Sequence, residues 1–260
     1  MSNPEAPVYE VFEFAPKRTR YCCIVTSLNE GDRIRLQLKR MSPQSELADI
    51  VIADGASTDG STESSYLKSC GVRALLVTNE TGLGTALRMA FDYALEQGYE
   101  GVVTVDGNGK DGVESLPEFL RLLDEGYDFV QGSRFAKGGE HKNTPLERYL
   151  GVRLVISPLL WIGGGFLYTD PTNGFKGLSR RFMTDERVSL VRRVFKQFNM
   201  QYYENCRAAK LGFRVTEIPV SRVYPDDGSV PTKITHFSRK LVLIWELLLT
   251  VVGVYNPPKG

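Results

Sequence analysis

The sequence is poor in the residues that mark disulfide scaffolds and zinc sites. It has four cysteines and two histidines in 260 residues, and no two cysteines show the C-x-x-C spacing of metal or redox motifs. Cys22 and Cys23 stand inside an apolar run, where a free cysteine acts as a small hydrophobic residue. We therefore expect reduced cysteines and a cytoplasmic location.

An excess of charge of one sign is also missing. The 32 lysines and arginines are balanced by 31 aspartates and glutamates, so the formal net charge is +1. A protein that binds nucleic acid through bulk charge needs a basic surface, so we expect no nucleic-acid partner.

No uncharged apolar run reaches the roughly 18–20 residues that span a bilayer. Two runs come near. The first, residues 154–169, is interrupted by Pro158 and three glycines, and the second, residues 241–255, contains Glu246. The N-terminus also lacks the apolar core of a secretory signal.

What the chain does contain is an alternation of short apolar strands with helical stretches. Strands are predicted at Tyr21–Ser27, Asp49–Asp54, Arg73–Thr78, Gly101–Asp106 and Asp128–Gly132, and helices at Glu30–Met41, Asp59–Ser69, Gly82–Gln97 and Val113–Glu125. Such alternation implies βαβ units, and the near-continuous apolar strands imply a mostly parallel sheet with helices on both faces. We predict an α/β fold.

The second half is less regular. It predicts an apolar helical stretch at Leu146–Phe166, a turn leading into a strand at Asp170–Gly177, a helix at Gln201–Leu211, a strand at Phe213–Val220, a loop at Tyr224–Lys233 and a helix at Ile234–Val254. We expect an N-terminal extension (1–19), one α/β domain (20–233) and a C-terminal amphipathic or apolar helix (234–260).

Polar side chains follow four of the predicted strands, in the segments 27–30, 54–59, 106–111 and 132–134. In open parallel sheets, ligands bind outside the carboxyl ends of the strands. In the third segment, Asp106 and Asn108 offer oxygen ligands at alternate positions, which suits Mg²⁺ or Mn²⁺ bridging a diphosphate. A structural turn would look similar.

Two further segments are candidates for substrate binding. Asp54, at a strand tip, can accept a hydrogen bond from a nucleobase ring N–H. Gly82 and Gly84 precede a helix that carries Arg88, and such glycines allow a phosphate to approach the backbone. A simple turn into the helix is an equal alternative for the two glycines.

Together these segments resemble family 2 inverting glycosyltransferases of GT-A fold, and among them the dolichyl- or polyprenyl-phosphate sugar synthases. The matching stretches are IVTSLNE (24–30), ADGASTDGST (53–62), GLGTALRMAF (82–91), VTVDGNGKDG (103–112), QGSRFAKGG (131–139), DPTNGFKGLSRRF (170–182) and EIPVSRVYP (217–225). The resemblance implies that residues 20–233 form a Rossmann-like nucleotide-diphospho-sugar transferase domain.

The resemblance also implies roles for single residues. Glu30 and Asp54 look like contacts to the ribose and base of a nucleoside diphosphate sugar, and Asp106 with Asn108 occupies the DxD metal motif. Arg134 matches an arginine that meets a lipid phosphate or the donor diphosphate, and Arg148 matches a second phosphate-binding arginine.

Three departures from the family pattern bear on these roles. Leu28 stands where the family usually has a tyrosine, which removes a stacking partner for the nucleobase. Asn108 is a neutral and weaker metal ligand than aspartate. Lys110 stands where a third ligand is common, and its ammonium could itself neutralise the diphosphate. We therefore predict a softened metal dependence.

The acceptor is open at this point. A lipid phosphate is already an anion and needs no general base, whereas a saccharide hydroxyl needs one, for which Asp170 is the candidate. The leaving diphosphate would be stabilised by the metal, Lys110 and Arg134. A Rossmann oxidoreductase is disfavoured, because no G-x-G-x-x-G follows the first strand. A non-catalytic nucleotide-sugar-binding module is the remaining alternative.

Two segments place basic residues before an apolar stretch, an arrangement that suits binding to the surface of an anionic membrane. One segment runs from Lys137 to Arg153 and leads into the apolar residues 154–169. The other, from Lys233 to Lys240, leads into LVLIWELLLTVV. The alternative for the C-terminal helix is packing on the core or on a second copy of the chain. A membrane surface and a lipid-linked acceptor are thus the expected partners, beside a nucleotide sugar.

Overall fold

A computed structural model describes residues 3–224 and 237–258, with the side chains of 237–239 left out. Within these residues, the strands are β1 (Glu10–Glu13), β2 (Tyr21–Ser27), β3 (Asp49–Asp54), β4 (Val72–Val77), β5 (Gly101–Asp106), β6 (Phe129–Ser133), β7 (Glu140–Lys142), β8 (Lys176–Ser179), β9 (Val215–Pro219) and β10 (Ser221–Val223). The helices are α1 (Asp32–Met41), α2 (Ser64–Ser69), α3 (Leu83–Glu96), α4 (Leu116–Asp124), α5 (Leu146–Gly151), α6 (Ser157–Gly164), α7 (Arg180–Thr184), α8 (Asn199–Lys210) and α9 (Phe237–Val251).

The main sheet has eight strands in the order β1-β4-β3-β2-β5-β8-β6-β9, and β7 pairs with β10 in a small second sheet. Only β1 and β8 run antiparallel to their neighbours in the main sheet. The α/β fold with a mostly parallel sheet is therefore confirmed. Strand β8 enters between β5 and β6, so the chain returns through the middle of the sheet before it reaches β9.

Apolar side chains from the sheet feed two cores, one on each face. Along β2, Cys22 and Ile24 join the core under α3 and α8, whereas Cys23 and Val25 join the core under α1, α2 and α4. Successive residues of a strand point to opposite faces, so a strand covered on both sides must be apolar throughout. Both cysteines are free and buried, as small hydrophobic residues would be.

Two predicted helices differ from those observed. Gly60 has a φ of 73°, so the chain turns there and α2 begins only at Ser64, where the Glu63 side chain accepts from the Ser65 N–H. The stretch predicted at 146–166 divides into α5, a π-helical turn over 152–156 and α6. Pro158 explains the division, because it has no N–H to donate to the carbonyl four residues earlier.

The C-terminal helix α9 packs on α6 and α8 through Leu160, Tyr202, Cys206 and Leu247. Among the described residues, no helix is both long enough and apolar enough to cross a bilayer. Except for Tyr224, the predicted loop at Tyr224–Lys233 lies outside the described residues, as does the start of the predicted C-terminal helix at 234–236.

Candidate active site

Strand pairing gathers the predicted polar segments at one edge of the sheet. Ser27 of β2 is in register with Asp54 of β3, and Thr26 is in register with Asp106 of β5. Because neighbouring strands lie about 4.8 Å apart, the backbones at Asp54 and Asp106 are separated by roughly 10 Å. That span suits a ligand with a base at one end and a diphosphate at the other.

At the β3 end, Asp54 is 2% exposed and accepts from the Ser57 N–H at 2.8 Å and from the Ser57 hydroxyl at 2.5 Å. Burial raises the pKa of this carboxyl, although the bonds from Ser57 oppose the shift. Glu30 accepts from the Arg33 guanidinium at 3.0 Å. Asp54 is the last residue of β3 and Glu30 follows the end of β2, and each carboxyl group already has a partner.

The glycine segment before α3 is closely packed by the chain itself. A Cβ on Gly82 would lie 2.1 Å from the carbonyl oxygen of Lys196, and one on Gly84 would lie 2.9 Å from that of Gln197. The Thr85 N–H at the start of α3 donates to the same Lys196 oxygen at 3.3 Å. The structure thus shows these glycines accommodating residues 195–197, and their contact with a phosphate stays a prediction.

The substrate-binding prediction for Arg88 is not supported by its position. Its side chain is buried at 2% exposure, and its guanidinium donates to the backbone oxygens of Val191, at 2.9 Å, and of Glu5. Arg88 points from α3 into the core, where it links the N-terminal extension at Glu5 to the segment before α8 at Val191. The glycine pattern before α3 does not show that the turn of α3 carrying Arg88 faces the interior.

The centre of the site is an ion-pair cluster around Arg222 of β10, a residue that sequence reasoning did not assign. Arg222 is 2% exposed and donates to the Asp106 carboxylate at 3.0 Å and to the Asp111 carboxylate at 2.5 Å. Burial alone would raise the pKa of Asp106, but the charges of Arg222 and Lys110 hold it below its usual value. Asp106 is therefore a carboxylate held in place by a guanidinium.

The other member of the predicted metal motif, Asn108, does not direct its oxygen toward a point shared with the Asp106 carboxylate. The Asn108 amide nitrogen donates to Asp106 at 3.2 Å, and the Asn108 amide oxygen accepts from the Lys110 backbone N–H at 3.2 Å. No group of three His, Cys, Asp or Glu side chains within residues 3–224 and 237–258 could hold a metal ion. The donor set does not fit the divalent cation expected from the sequence.

Arg134 and Asp170, two predicted catalytic residues, form a buried pair. Both side chains are 0% exposed. Arg134 donates through Nε at 2.6 Å and through a terminal nitrogen at 3.0 Å, one bond to each carboxylate oxygen. Burial would lower the pKa of Arg134, but the charge of Asp170 more than offsets this. A carboxylate engaged in this way is poorly placed to take a proton from an acceptor hydroxyl.

Arg148 of α5 completes a cationic cluster that we call the four-cation cluster: Lys110, Arg134, Arg148 and Arg222. Burial lowers the pKa of Arg148, and the charges of Arg134 and Arg222 add to that effect. The Arg148 guanidinium makes no hydrogen bond to another side chain or backbone group in the described part of the chain. Burial and the charge of Arg222 lower the pKa of Lys110 to about 7. The cluster is therefore a place where an incoming anion is stabilised.

Tyr224 lies among these cations. Its hydroxyl accepts from Arg134 at 3.5 Å, and the Lys110 ammonium is 4.9 Å from the centre of its ring. Burial opposes ionisation of the phenol, but the charges of Arg148, Arg222 and Arg134 lower its pKa overall. Tyr224 and Arg222 both belong to the stretch EIPVSRVYP, so their signal was an arginine and a tyrosine just beyond a predicted strand.

A buried hydrogen-bond chain supports the cluster from behind. The Arg222 guanidinium donates to Asn173 Oδ1 at 3.2 Å, and the Asn173 backbone oxygen accepts from Gln131 at 3.0 Å. Gln131 in turn accepts from Asn205 of α8 at 2.9 Å, and Asn205 accepts from Lys176 at 3.0 Å. The chain couples the position of Arg222 to the core, and sequence spacing could not show it.

Known proteins of similar sequence are glycosyltransferases. The family described as "Glycosyl transferase family 2" matches residues 22–185. An undecaprenyl-phosphate mannosyltransferase of Micrococcus luteus is 29% identical over 219 residues, covering 80% of this chain and 86% of the relative. A polyprenol monophosphomannose synthase of Mycolicibacterium smegmatis is 27% identical over 206 residues, covering 78% of this chain and 77% of the relative.

Solved structures agree on the fold. Glucosyl-3-phosphoglycerate synthase from Mycobacterium tuberculosis, in complex with Mn²⁺, uridine diphosphate and glucosyl-3-phosphoglycerate, superimposes with a TM-score of 0.61 at 18% identity, covering 92% of this chain and 81% of that chain. S. aureus TarS 1–349 in complex with UDP gives a TM-score of 0.55 at 13% identity, covering 92% and 67%. These identities are low enough that the likeness shows the fold alone.

Proposed function

Because this chain belongs to glycosyl transferase family 2, we propose that it moves a hexose from a nucleoside diphosphate donor, with inversion, to the phosphate of a polyprenyl phosphate. The family assignment and the glycosyltransferase activity follow from the match to residues 22–185. The finer acceptor assignment is supported by relatives named for undecaprenyl, polyprenol and dolichyl phosphates.

The observation that carries the proposal is the four-cation cluster, together with the engagement of Asp170 by Arg134. A phosphate acceptor brings its own negative charge and needs no base, whereas a hydroxyl acceptor needs a carboxylate free to accept its proton. The one carboxylate predicted for that task is buried, with both oxygens bonded to a guanidinium. Arg148, without a hydrogen-bond partner in the described residues, is placed to receive the acceptor phosphate.

We assign the donor to the other side of Asp106. The base and ribose would lie toward Asp54 and Glu30, and the diphosphate would lie beside Asp106 and Lys110. An arginine beside a phosphate can donate two parallel N–H bonds, which fixes orientation as well as charge. The cluster lies between donor and acceptor in this arrangement, so the same cations serve both phosphate groups.

In the proposed reaction, an oxygen of the acceptor phosphate attacks the anomeric carbon of the sugar from the side opposite the leaving group. The new carbon–oxygen bond forms as the bond to the donor diphosphate breaks, and the electron pair leaves with the nucleoside diphosphate. Negative charge grows on the leaving oxygen, and pre-positioned cations lower the barrier most when they are directed at that charge. Lys110 and Arg222 are the nearest candidates to Asp106.

We also propose that the protein binds the cytoplasmic face of a membrane through an apolar platform formed by α5, the π turn, α6, α9 and Val252, which directly follows α9. Its most exposed apolar side chains are Leu146 (70%), Leu154 (69%), Ile162 (72%), Trp245 (62%) and Val252 (73%). Large exposed apolar patches mark interaction surfaces, and tryptophan favours the membrane–water interface. Because Arg148 lies on α5, the platform adjoins the cluster, as an acceptor anchored in lipid requires.

The test is transfer of a labelled hexose from GDP- and UDP-sugars to undecaprenyl phosphate in vesicles, with a soluble oligosaccharide as the competing acceptor. We expect a lipid-extractable product from the phosphate acceptor and none from the oligosaccharide. Vesicle flotation of the wild type and of a Trp161→Ser/Trp245→Ser variant checks the platform, and we expect weaker association for the variant. Transfer to the oligosaccharide alone, or equal flotation of both proteins, would contradict the respective proposals.

A further inference from the structure

We infer that Arg222 and Lys110 take the electrostatic role of a divalent metal, so that this enzyme binds and releases its nucleoside diphosphate without one. The inference rests on the proposed function and concerns the donor half of the site. It departs from the Mg²⁺ or Mn²⁺ expected from the sequence, and from the Mn²⁺ present in the M. tuberculosis structure.

The first observation concerns Asp106, the one carboxylate of the predicted metal motif. Its Oδ2 accepts from Arg222 at 3.0 Å and from the Asn108 amide at 3.2 Å. Its Oδ1 packs against Gly174, and a Cβ added to Gly174 would lie only 2.7 Å from this oxygen. A guanidinium therefore already occupies the cation position on this carboxylate.

The second observation concerns Asn108. Its amide oxygen accepts from the Lys110 backbone N–H at 3.2 Å. Exchanging the amide nitrogen and oxygen would set an N–H donor against that backbone donor and an oxygen against the Asp106 carboxylate, so the hydrogen bonds fix the orientation. The ligand oxygen of Asn108 is thus turned toward the backbone rather than toward a metal shared with Asp106.

The third observation is the sign of the surrounding charge. A divalent ion bound to Asp106 would lie within a few ångströms of Arg222 and near Lys110, and like charges at such distances repel strongly in a buried site. Asp111 could offset this repulsion, but it is 0% exposed and paired with Arg222. Binding of a second cation to Asp106 is therefore disfavoured, whereas binding of an anion beside Arg222 and Lys110 is favoured.

The fourth observation is a buried hydrogen-bond donor of Arg222 that lacks an acceptor among the described residues. Arg222 Nε is buried and has no hydrogen-bond partner among the residues the structure describes. A buried N–H without a partner is costly, and a phosphate oxygen is the kind of acceptor a guanidinium matches best. Lys110 is 5% exposed, with its ammonium beside the Tyr224 ring. Together these two side chains offer two cationic donors on the diphosphate side of Asp106.

The test compares GDP and UDP binding by calorimetry, and hexose transfer, in EDTA and in Mn²⁺ after the protein has been stripped of metal. We expect dissociation constants and rates to agree within about twofold between the two conditions, because Arg222 and Lys110 supply the positive charge in both. Lys110→Gln should weaken nucleotide binding by about tenfold or more, as loss of a charge-assisted bond would. Lys39→Gln, which removes an exposed lysine from α1, is the matched control and should change nothing.

A conversion variant sharpens the test. Asn108→Asp combined with Lys110→Gln adds a carboxylate and removes a cation, so it should acquire Mn²⁺ binding, visible by electron paramagnetic resonance, and lose transfer in EDTA. If the wild-type protein binds and transfers only with Mn²⁺, the inference is wrong and the proposed function stands. If neither nucleotide binds in either condition and no hexose is transferred, the proposed function itself fails.

Discussion

Replacing Asp170 by asparagine tests the role of the buried Arg134–Asp170 pair. The substitution keeps the shape of the side chain and one acceptor oxygen, but it removes the negative charge facing a guanidinium that is 0% exposed. Removing one partner of a buried ion pair costs about 3–5 kcal/mol. Because asparagine keeps one acceptor, we expect the lower end, a loss of about 3 kcal/mol in the free energy of unfolding.

A loss of that size is measurable by heating. For a chain of this length, about 1 kcal/mol shifts the unfolding midpoint by roughly 2–4 °C, so Asp170→Asn should lower it by about 6–12 °C. Glu118→Gln is the control, since it also removes a carboxylate from an arginine pair, but both of those side chains are about half exposed. Exposed pairs contribute about 0–1 kcal/mol, so this midpoint should barely move.

Kinetics below the lowered midpoint separate positioning from base catalysis. If Asp170 only holds Arg134, the variant should keep most of its kcat at saturating polyprenyl phosphate, and the KM for that acceptor should rise. A general base contributes about 10²–10⁴-fold to the rate. A fall of kcat by a hundredfold or more with an unchanged KM, or an unchanged unfolding midpoint, would refute the reasoning.

Three further substitutions examine other parts of the site. Arg148→Ala should raise the KM for polyprenyl phosphate by about tenfold or more without changing nucleotide affinity, and Arg148→Lys should restore part of the loss; equal effects on both ligands would contradict the assignment. Gly174→Ala should displace the Asp106 carboxylate, because the new Cβ would lie 2.7 Å from Asp106 Oδ1, and should lower transfer while leaving the folded state intact by circular dichroism. Lys176→Met leaves Glu204 buried without its cation and should cost about 3–5 kcal/mol at neutral pH. Burial raises the pKa of Glu204 above its unfolded value, so protonation should relieve this cost, and the deficit measured by denaturant unfolding should shrink as the pH falls; a pH-independent deficit would contradict this account.

The centre of the sheet was predictable because burial on both faces leaves an unambiguous pattern. The bounds predicted for β2, β3 and β5 are those observed. Each of these strands is buried along nearly its whole length, so the apolar run begins and ends with the strand. The polar residues that follow them could be assigned to one edge because parallel strands place their carboxyl ends together.

The partners of the site residues could not be predicted in the same way. Arg222 follows Asp106 by 116 positions, and its ion pair depends on how β10 is placed beside β7 and the 106–111 turn. The sequence makes Asp170 a candidate base for a hydroxyl acceptor, but only the fold shows Arg134 facing it. Spacing along the chain specifies which elements form, whereas these pairings depend on which elements meet.

In the proposed reaction, the cluster would bind the phosphate groups of both donor and acceptor. Its four cations face three carboxylates, Asp106, Asp111 and Asp170, in a largely buried volume. Burial lowers the pKa values of Lys110 and Arg148, and repulsion from the neighbouring cations lowers them further when no ligand is bound. A bound phosphate offsets that repulsion and also accepts hydrogen bonds from the cluster. A ligand present at a hundred times its dissociation constant stabilises the folded state by about 2.7 kcal/mol. A second anion would bind a cluster already partly neutralised, so donor and acceptor should each weaken the electrostatic attraction for the other. In the proposed reaction, that mutual weakening would favour departure of the nucleoside diphosphate once the sugar has joined the acceptor.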